Sequence, residues 1–323
     1  MELTIAGKTL PGPHGLTVCS VVHDEMYFLP EFLRHYRALG ADRFLFLDDA
    51  SGDGTADFLA AQPDCMVLRS SARYFDRIGG ERAIYAWRKA MLDRFCDRQW
   101  AVVADADEFV VPPPGLSLPD VAASLQRRGA SAVWGVMLDV YPRDIADLFR
   151  AGPFRLDDAW FFDARRHMIA RPGRKKPVTL YRGSRARLMG AAGLIPPGAG
   201  RLKRALVQLG LGAHVKVNVI HKAPLVRWDA GHRFVGSHQI EPFPATADIL
   251  PILHFKFTPD LGRKIDYALE TGGYVDGSRQ YDALAALIAR MRARGSGFLG
   301  RRSQPVGDGA ALYASAAAVW SDR

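Results

Sequence analysis

With 323 residues, 48% of them hydrophobic and 24% charged, the chain has the length and composition of one large α/β domain or two small ones. Three cysteines, Cys19, Cys65 and Cys96, lie far apart without any CxxC, which indicates neither a disulfide framework nor a zinc site and points to a reducing compartment. A net charge of +9 calls for an anionic partner, whether nucleotide, phospholipid surface, acidic glycan or nucleic acid, and does not choose among them. The N-terminal segment lacks a basic stretch followed by an apolar one, and no apolar run reaches about 18 residues, so we expect a cytoplasmic chain that does not span a membrane.

In chain order, Leu16 to Val22 reads as a buried strand ending in the polar turn His23-Asp24-Glu25. Phe28 to Leu39 reads as a helix, because Phe28, Leu29, Phe32, Leu33, Tyr36 and Leu39 recur at helical spacing and Gly40 suits its C-terminal stop. Arg43 to Leu47 is a second buried strand, closed by the Asp- and Gly-rich turn from Asp48 to Thr55, in which Asp53 or Thr55 can cap a helix from about Ala56 to Ala61. Met66 to Arg69 makes a third strand, and Glu81 to Phe95 a long amphipathic helix. Strands alternating with helices predict a doubly wound parallel sheet with ligands at the carboxyl ends of its strands.

Trp100 to Val111, WAVVADADEFVV, is the most chemically loaded stretch. It starts as a buried strand and then carries Asp105, Asp107 and Glu108 within four residues. Along an extended strand Asp105 and Asp107 point to the same face while Ala106 points away, which holds two negative charges close together at the strand's C-terminal end. Two like charges about 4 Å apart repel by roughly 4 kcal/mol at an effective dielectric near 20, so one carboxylate takes a proton or a cation sits between them. All-oxygen ligands favour Mg²⁺ or Mn²⁺ over Zn²⁺. A solvated strand end is the bland alternative, since D-x-D by itself is a weak signal.

Beyond Pro112 to Pro114 the order loosens. Val133 to Leu138 is strand-like and ends at Asp139; Trp160 to Phe162 ends at Asp163. Residues 165 to 187 carry nine Lys or Arg and no acid. Gly183 to Gly212, with PPGAG at 196 to 200, is the best candidate for a mobile loop. His214 to Ile220 alternates as a strand with one exposed face, followed by short apolar runs punctuated by His221, His232, His238 and His254. From Leu261 the pattern is helical to about Ala293, and there is no internal repeat.

The VVHDE turn, LPEFLRHYRALGADRFLFLDDASGDGT and WAVVADADEF, taken in this order, resemble the family 2 glycosyltransferases of the GT-A fold, in particular the subgroup with a DxDEF metal motif. MLDVYP at 137 to 142, WFFD at 160 to 163, KAPLVRW at 222 to 228, GSH at 236 to 238 and LPILHFKF at 250 to 257 resemble that subgroup's later landmarks, so the likeness covers roughly residues 17 to 285. Two departures stand out: His23-Asp24 where Lys-Asn is usual, and the basic loop around 185 to 212. The resemblance implies an α/β GT-A (Rossmann-like) mostly parallel sheet flanked by helices. The GT-A domain would span residues 1–258, with a nucleotide-sugar half at about 16–112 and an acceptor half at about 113–258. Residues 259–323 would be a C-terminal helical extension packed on the same domain.

It further implies transfer of a sugar from a nucleotide-sugar donor to an acceptor hydroxyl, with inversion, toward a glycan or glycolipid acceptor in cell-surface polysaccharide synthesis. A divalent ion, Mn²⁺ or Mg²⁺, would be held by Asp107 and His254, with Asp105 on the ion, a metal-bound water or the ribose. A core histidine is the rival role for His254. Asp48 or Asp49 matches the base-contacting position, the Val22, His23 and Asp24 backbone would pack on base or ribose, and Arg77 or Arg82 would lie over base or phosphates. Against these stand a purely turn-shaping role for Asp49 and Asp53 and a solvated helix surface for the arginines. Lys256, two residues after His254, would share its face on a strand and meet a phosphate, or else lie on the surface. Asp139 is the preferred catalytic base, then Asp163 and Glu241; a structural Asp capping the turn before Pro142 rivals it.

The basic 165 to 187 stretch reads as a solvated face. With the stripe Leu202, Ala205, Leu206 and Leu209 beside Arg201, Lys203 and Arg204, it could instead seat the chain peripherally on an anionic membrane or hold an acidic acceptor. No nucleic-acid motif is present. The rival functions are a non-catalytic polyanion- or lipid-binding module on the same fold and a metal-dependent nucleotidyltransferase or phosphohydrolase.

Overall fold

A computed structural model describes residues 3–12, 15–194, 219–272, 278–307, 309–315 and 317–321. The PPGAG stretch, the 201 to 209 stripe and the first residues of the expected strand at 214 to 220 lie outside the described residues.

The centre is a nine-stranded sheet of β1 (Thr4–Ala6), β2 (Thr17–Val22), β3 (Arg43–Asp48), β4 (Cys65–Arg69), β5 (Trp100–Val103), β6 (Glu108–Val110), β7 (Ala132–Asp139), β8 (His221–Arg227) and β9 (Ile249–His254). Their spatial order is β1-β4-β3-β2-β5-β8-β7-β9-β6. Pairing β2 in parallel with β3 and β5, β3 with β4, and β7 with β9 sets most strands in one direction. The antiparallel pairings of β1 with β4, β8 with β5 and β7, and β6 with β9 reverse the other three. The sheet is therefore mixed, with most strands sharing one direction. The strands of its parallel part are apolar almost throughout, Arg43 to Asp48 being buried at every position, because helices cover both faces.

The helices are α1 (Leu29–Ala38), α2 (Thr55–Ala61), α3 (Ala83–Phe95), α4 (Leu118–Arg127), α5 (Gly183–Ala191), α6 (Leu261–Thr271), α7 (Arg279–Arg294) and α8 (Gly309–Ala314). Helices α4, α5 and α8 were not individually foreseen, and the stretch expected to be a mobile loop from Gly183 begins as the largely buried helix α5. Helix α1 starts with proline in its first turn, where the missing N–H costs nothing, and buries Leu29, Phe32, Leu33 and Tyr36. Each such side chain contributes roughly 2 to 3 kcal/mol of apolar burial. Gly40, at φ +91°, turns the chain out of α1 as expected. Glu81 and Arg82 are not helical: they pair with Arg77–Ile78 as a hairpin, and Gly79 and Gly80, both at positive φ, make its turn. The single helical stretch expected from Leu261 is two helices, α6 and α7.

The C-terminal segment is not only helical. Ser303–Pro305 pairs antiparallel with Phe161–Asp163, and Val319 bridges Ile249 of β9. A second apolar cluster gathers Tyr141, Leu188, Phe257, Leu261, Leu284 and Phe298. Cys19, Cys65 and Cys96 are buried and free. Among the described residues no helix is long and apolar enough to cross a membrane.

Candidate active site

Five of the co-directional strands deliver polar residues to one edge of the sheet, at their carboxyl ends. Strand β2 leads into His23 and Asp24, β3 ends at Asp48 and continues to Asp49, β5 leads to Asp105 and Asp107, β7 ends at Asp139 and β9 at His254. This is the edge at which open α/β sheets bind ligands.

The acidic motif does not stay extended. β5 ends at Val103, Asp105 and Asp107 lie in a turn closed by Glu108 N–H donating to Asp105 O at 3.0 Å, and β6 returns antiparallel against β9. The expectation that both carboxylates share a strand face fails for this reason, and the two face different partners. Asp105 takes Arg88 and, at 3.3 Å, Lys222. Burial would raise its carboxyl, but Lys222 and then Arg88 outweigh it and hold it well below the usual range. Asp107 Oδ2 lies 3.5 Å from Lys264 Nζ and 3.8 Å from His254 Nε2. Burial pushes this carboxyl up as well, and Lys264, His254 and Lys256 together bring it below its ordinary value. The like-charge repulsion foreseen from the sequence is thus relieved by protein cations, one set for each carboxylate.

Glu108, the third acid of the motif, points into the interior, where Lys222 Nζ donates to it at 2.5 Å and both side chains are 2% exposed. Burial raises its carboxyl despite that partner.

His254 is oriented by Asp139. Its Nδ1 donates to Asp139 Oδ1 at 2.5 Å, and Arg185 donates to the same oxygen at 2.7 Å. Burial opposes ionisation of Asp139, yet Arg185 and His254 hold its carboxyl far below the usual range. Both partners take Oδ1, which makes Asp139 a positioning residue for His254. Met137, Asp139, Arg182, Arg185 and His254 border a small pocket of about 10 Å³, room for roughly one water.

The other two base candidates are paired with arginines. Asp163 is enclosed by the hydroxyls of Tyr141 and Tyr181 and by two Arg187 bonds of 2.9 Å, which occupy its oxygens and leave the side chain 2% exposed. Glu241 lies on the hairpin of Arg233–Phe234 with Ile240–Glu241, ion-paired to Arg233 at 2.5 Å.

In the first two turns the side chains mainly hold each other. Asp49 accepts from Tyr74 N at 3.1 Å and pairs with Arg73 at 3.0 Å, and burial raises its carboxyl. Asp48 accepts from Ser51 N, and Asp53 accepts from Met26 N and Thr55 N, stapling the two loops rather than capping α2 by its own side chain. Asp24 adopts φ +52° and accepts from Gly52 N at 2.6 Å. His23 bonds Asp49 O at 2.7 Å and packs 4.7 Å from the Tyr267 ring of α6.

Arg77 is spent on its own hairpin, bonding Gly80 O at 2.9 Å, and Arg82 precedes α3. The arginine that reaches the motif is Arg88, on α3, which sequence reasoning passed over. Lys256 does not share a strand face with His254, because β9 ends at His254 and Lys256 N–H donates back to its carbonyl. Its ammonium bonds the Tyr281 hydroxyl at 3.2 Å. In the basic stretch Arg185 and Arg187 are internal partners of Asp139 and Asp163, whereas residues 171 to 176 form an exposed tip between Met168–Ile169 and Val178–Thr179.

Among the described residues, no group of three or more His, Cys, Asp and Glu side chains converges as a metal cage. What the site does offer is a pair. His254, its Nδ1 proton held by Asp139, turns Nε2 toward Asp107, which is the carboxylate–histidine arrangement that orients a metal-binding imidazole. Two protein donors suit an ion that completes its shell with phosphate and water. Asp105 does not join them.

No family model matches the chain, and no curated protein matches it. Among solved structures it is similar to HddC from Yersinia pseudotuberculosis, at 12% identity over 45% of this chain and 66% of that one, just under two thirds of its length, with a TM-score of 0.27. It is also similar to UDP-glucose pyrophosphorylase from Acinetobacter baumannii, at 10% identity, 93% and 91% coverage and a TM-score of 0.29, and to the UTP-bound form of that enzyme, with the same identity and coverage and a TM-score of 0.25. At these values the likenesses carry no argument about this chain's activity.

Proposed function

We propose that the chain is a glycosyltransferase of the GT-A type, moving a sugar from a nucleotide-sugar donor to a hydroxyl of a glycan or glycolipid. The observation that carries this reading is the convergence of Asp107, from the turn after β5, with His254 and Asp139, at the ends of β9 and β7, on the carboxyl edge that also holds the His23-Asp24 and Asp48-Asp49 turns. The nucleoside would lie against the first two turns, near His23 and Tyr267, and its diphosphate beside Asp107.

In this reading a divalent ion, Mn²⁺ or Mg²⁺, held by Asp107 and His254 supplies Lewis-acid neutralisation of the departing diphosphate. The chain's own residues do the remaining work. Asp139 fixes the tautomer of His254 so that Nε2 keeps its lone pair toward Asp107. Arg185 shares Asp139 Oδ1 and keeps that carboxylate ionised. Arg88 and Lys222 anchor Asp105, and Lys222 with Glu108 locks the turn on which Asp107 is presented.

The test is thermal shift against UDP-, GDP- and dTDP-sugars and CMP-sialic acid, with and without Mn²⁺. The proposal expects one nucleotide class to stabilise the protein when metal is present and Asp107→Asn to remove that stabilisation. Failure of every nucleotide, or stabilisation unchanged in Asp107→Asn, would end it.

A further inference from the structure

Lys264 is a cation beside Asp107 that no sequence motif announced. It rises from the first turn of α6, its side chain 14% exposed, into a group of three carboxylates. Its Nζ lies 2.9 and 3.0 Å from the two oxygens of Glu25, 3.5 Å from Asp107 Oδ2 and 3.7 Å from Asp260 Oδ2. Asp260 is already occupied by Arg263, at 2.7 and 3.0 Å, so the free choice for the ammonium lies between Glu25 and Asp107.

The oxygen of Asp107 that Lys264 approaches, Oδ2, is the same one that faces His254 Nε2. One oxygen cannot hold a divalent ion and a nearby ammonium without strong like-charge repulsion across a few ångströms of buried space. The ammonium has somewhere to go: Glu25 already makes the two shorter contacts, and a lysine stem is flexible enough to shift between adjacent acids. A purely structural ion pair needs only Glu25. The longer contact to Asp107 is what links the lysine to the ligand pair.

We propose that Lys264 is the resident counter-ion of Asp107, that a divalent ion loads only when this ammonium withdraws from Asp107, and that Glu25 is the carboxylate that receives it. This rests on the reading of Asp107 and His254 as a metal-holding pair. It makes Lys264 and Glu25 determinants of metal affinity with opposite signs, and it ties loading to α6, whose Arg263 also bonds Asp24 O at 2.6 Å in the first turn.

The experiment is titration of the purified full chain with Mn²⁺ alone, by calorimetry and by the loss of the free-ion electron paramagnetic resonance signal. Lys264→Met removes the competitor and should bind Mn²⁺ about tenfold more tightly than wild type. Glu25→Gln removes the receiving carboxylate, leaves the ammonium on Asp107, and should weaken binding about threefold. In the Lys264→Met background the same Glu25→Gln change should have less than about a twofold effect, because Glu25 then has no ammonium to receive. Circular dichroism checks folding, and Lys264→Gln, which keeps a hydrogen bond to Glu25, replaces Lys264→Met if that variant does not fold.

Unchanged or weaker binding in the Lys264 variant overturns the proposal, as does an equal effect of Glu25→Gln in both backgrounds. If wild type binds Mn²⁺ and Asp107→Asn abolishes binding while the Lys264 variants match wild type, the metal pair stands and this inference alone falls. If wild type binds no Mn²⁺, both fall.

Discussion

His254 Nδ1 lies 2.5 Å from Asp139 Oδ1 because the two residues are register partners at the ends of adjacent parallel strands, β9 and β7. That register sets the imidazole plane, and with Arg185 on the same oxygen it buries an ionised carboxylate with both its partners in place. Asp139→Asn should cost about 3 kcal/mol of stability at pH 7. The pH dependence has a definite sign. Asp139 is depressed in the folded chain, so its contribution is complete above its unfolded value and is lost as pH falls through the folded one. The gap between wild type and Asp139→Asn should therefore shrink below about pH 4, which urea melts at a series of pH values would measure.

The pair of Lys222 and Glu108 beneath the acidic turn is the most deeply buried ionic contact near the site. Lys222→Met leaves Glu108 without its cation and should lower stability by about 3 to 5 kcal/mol, whereas adding Glu108→Gln to it should recover a large part of that loss. Denaturant melts of the two singles and the double close the cycle.

Asp105 and Asp107, two residues apart, should behave differently. Asp107→Asn should weaken Mn²⁺ binding by about a hundredfold, while Asp105→Asn, whose carboxylate is turned to Arg88 and Lys222, should keep it within about threefold. Mn²⁺ titration of both variants decides it, and equal losses would restore Asp105 to the ligand set.

Gly135 in β7 lies where a Cβ would meet Ile252 Cδ1 at 2.6 Å and Pro224 Cγ at 3.0 Å. Gly135→Ala should cost about 1 to 3 kcal/mol by overpacking the junction of β7, β8 and β9. Its Mn²⁺ affinity should remain that of wild type, as a thermal melt paired with a titration would show.

The parts of this fold that were legible in the sequence are those fixed by local pattern. Phe32, Leu33 and Tyr36 repeat at the helical pitch, and α1 buries them. The apolar runs at β2, β3 and β5 end in polar turns, and those turns share one sheet edge. What was not legible depends on where the chain breaks and on distant partners. Reading Asp105 and Asp107 onto one face assumed that β5 continued past Val103, and the turn at the motif ended that alternation. Arg88 and Lys264 carry no motif of their own, and Lys222, the first residue of KAPLVRW, was given no role there. Lys222 meets Glu108 across 114 residues and Lys264 meets Glu25 across 239, so only the folded sheet brings them together. Arg77 and Arg82 had the better sequence context, beside Gly79-Gly80, yet Arg77 bonds Gly80 O within its own hairpin and the helix that follows supplies Arg88 to Asp105.

The central claim is sugar transfer from a nucleotide donor, and product analysis tests it most directly. Each sugar nucleotide of the panel is incubated with the protein and Mn²⁺, and the nucleotide products are separated by chromatography. The account predicts that one donor yields nucleoside diphosphate, or monophosphate from CMP-sialic acid, and that Asp107→Asn stops its release. Formation of nucleoside triphosphate from a sugar nucleotide and pyrophosphate, or no consumption of any donor, would contradict it.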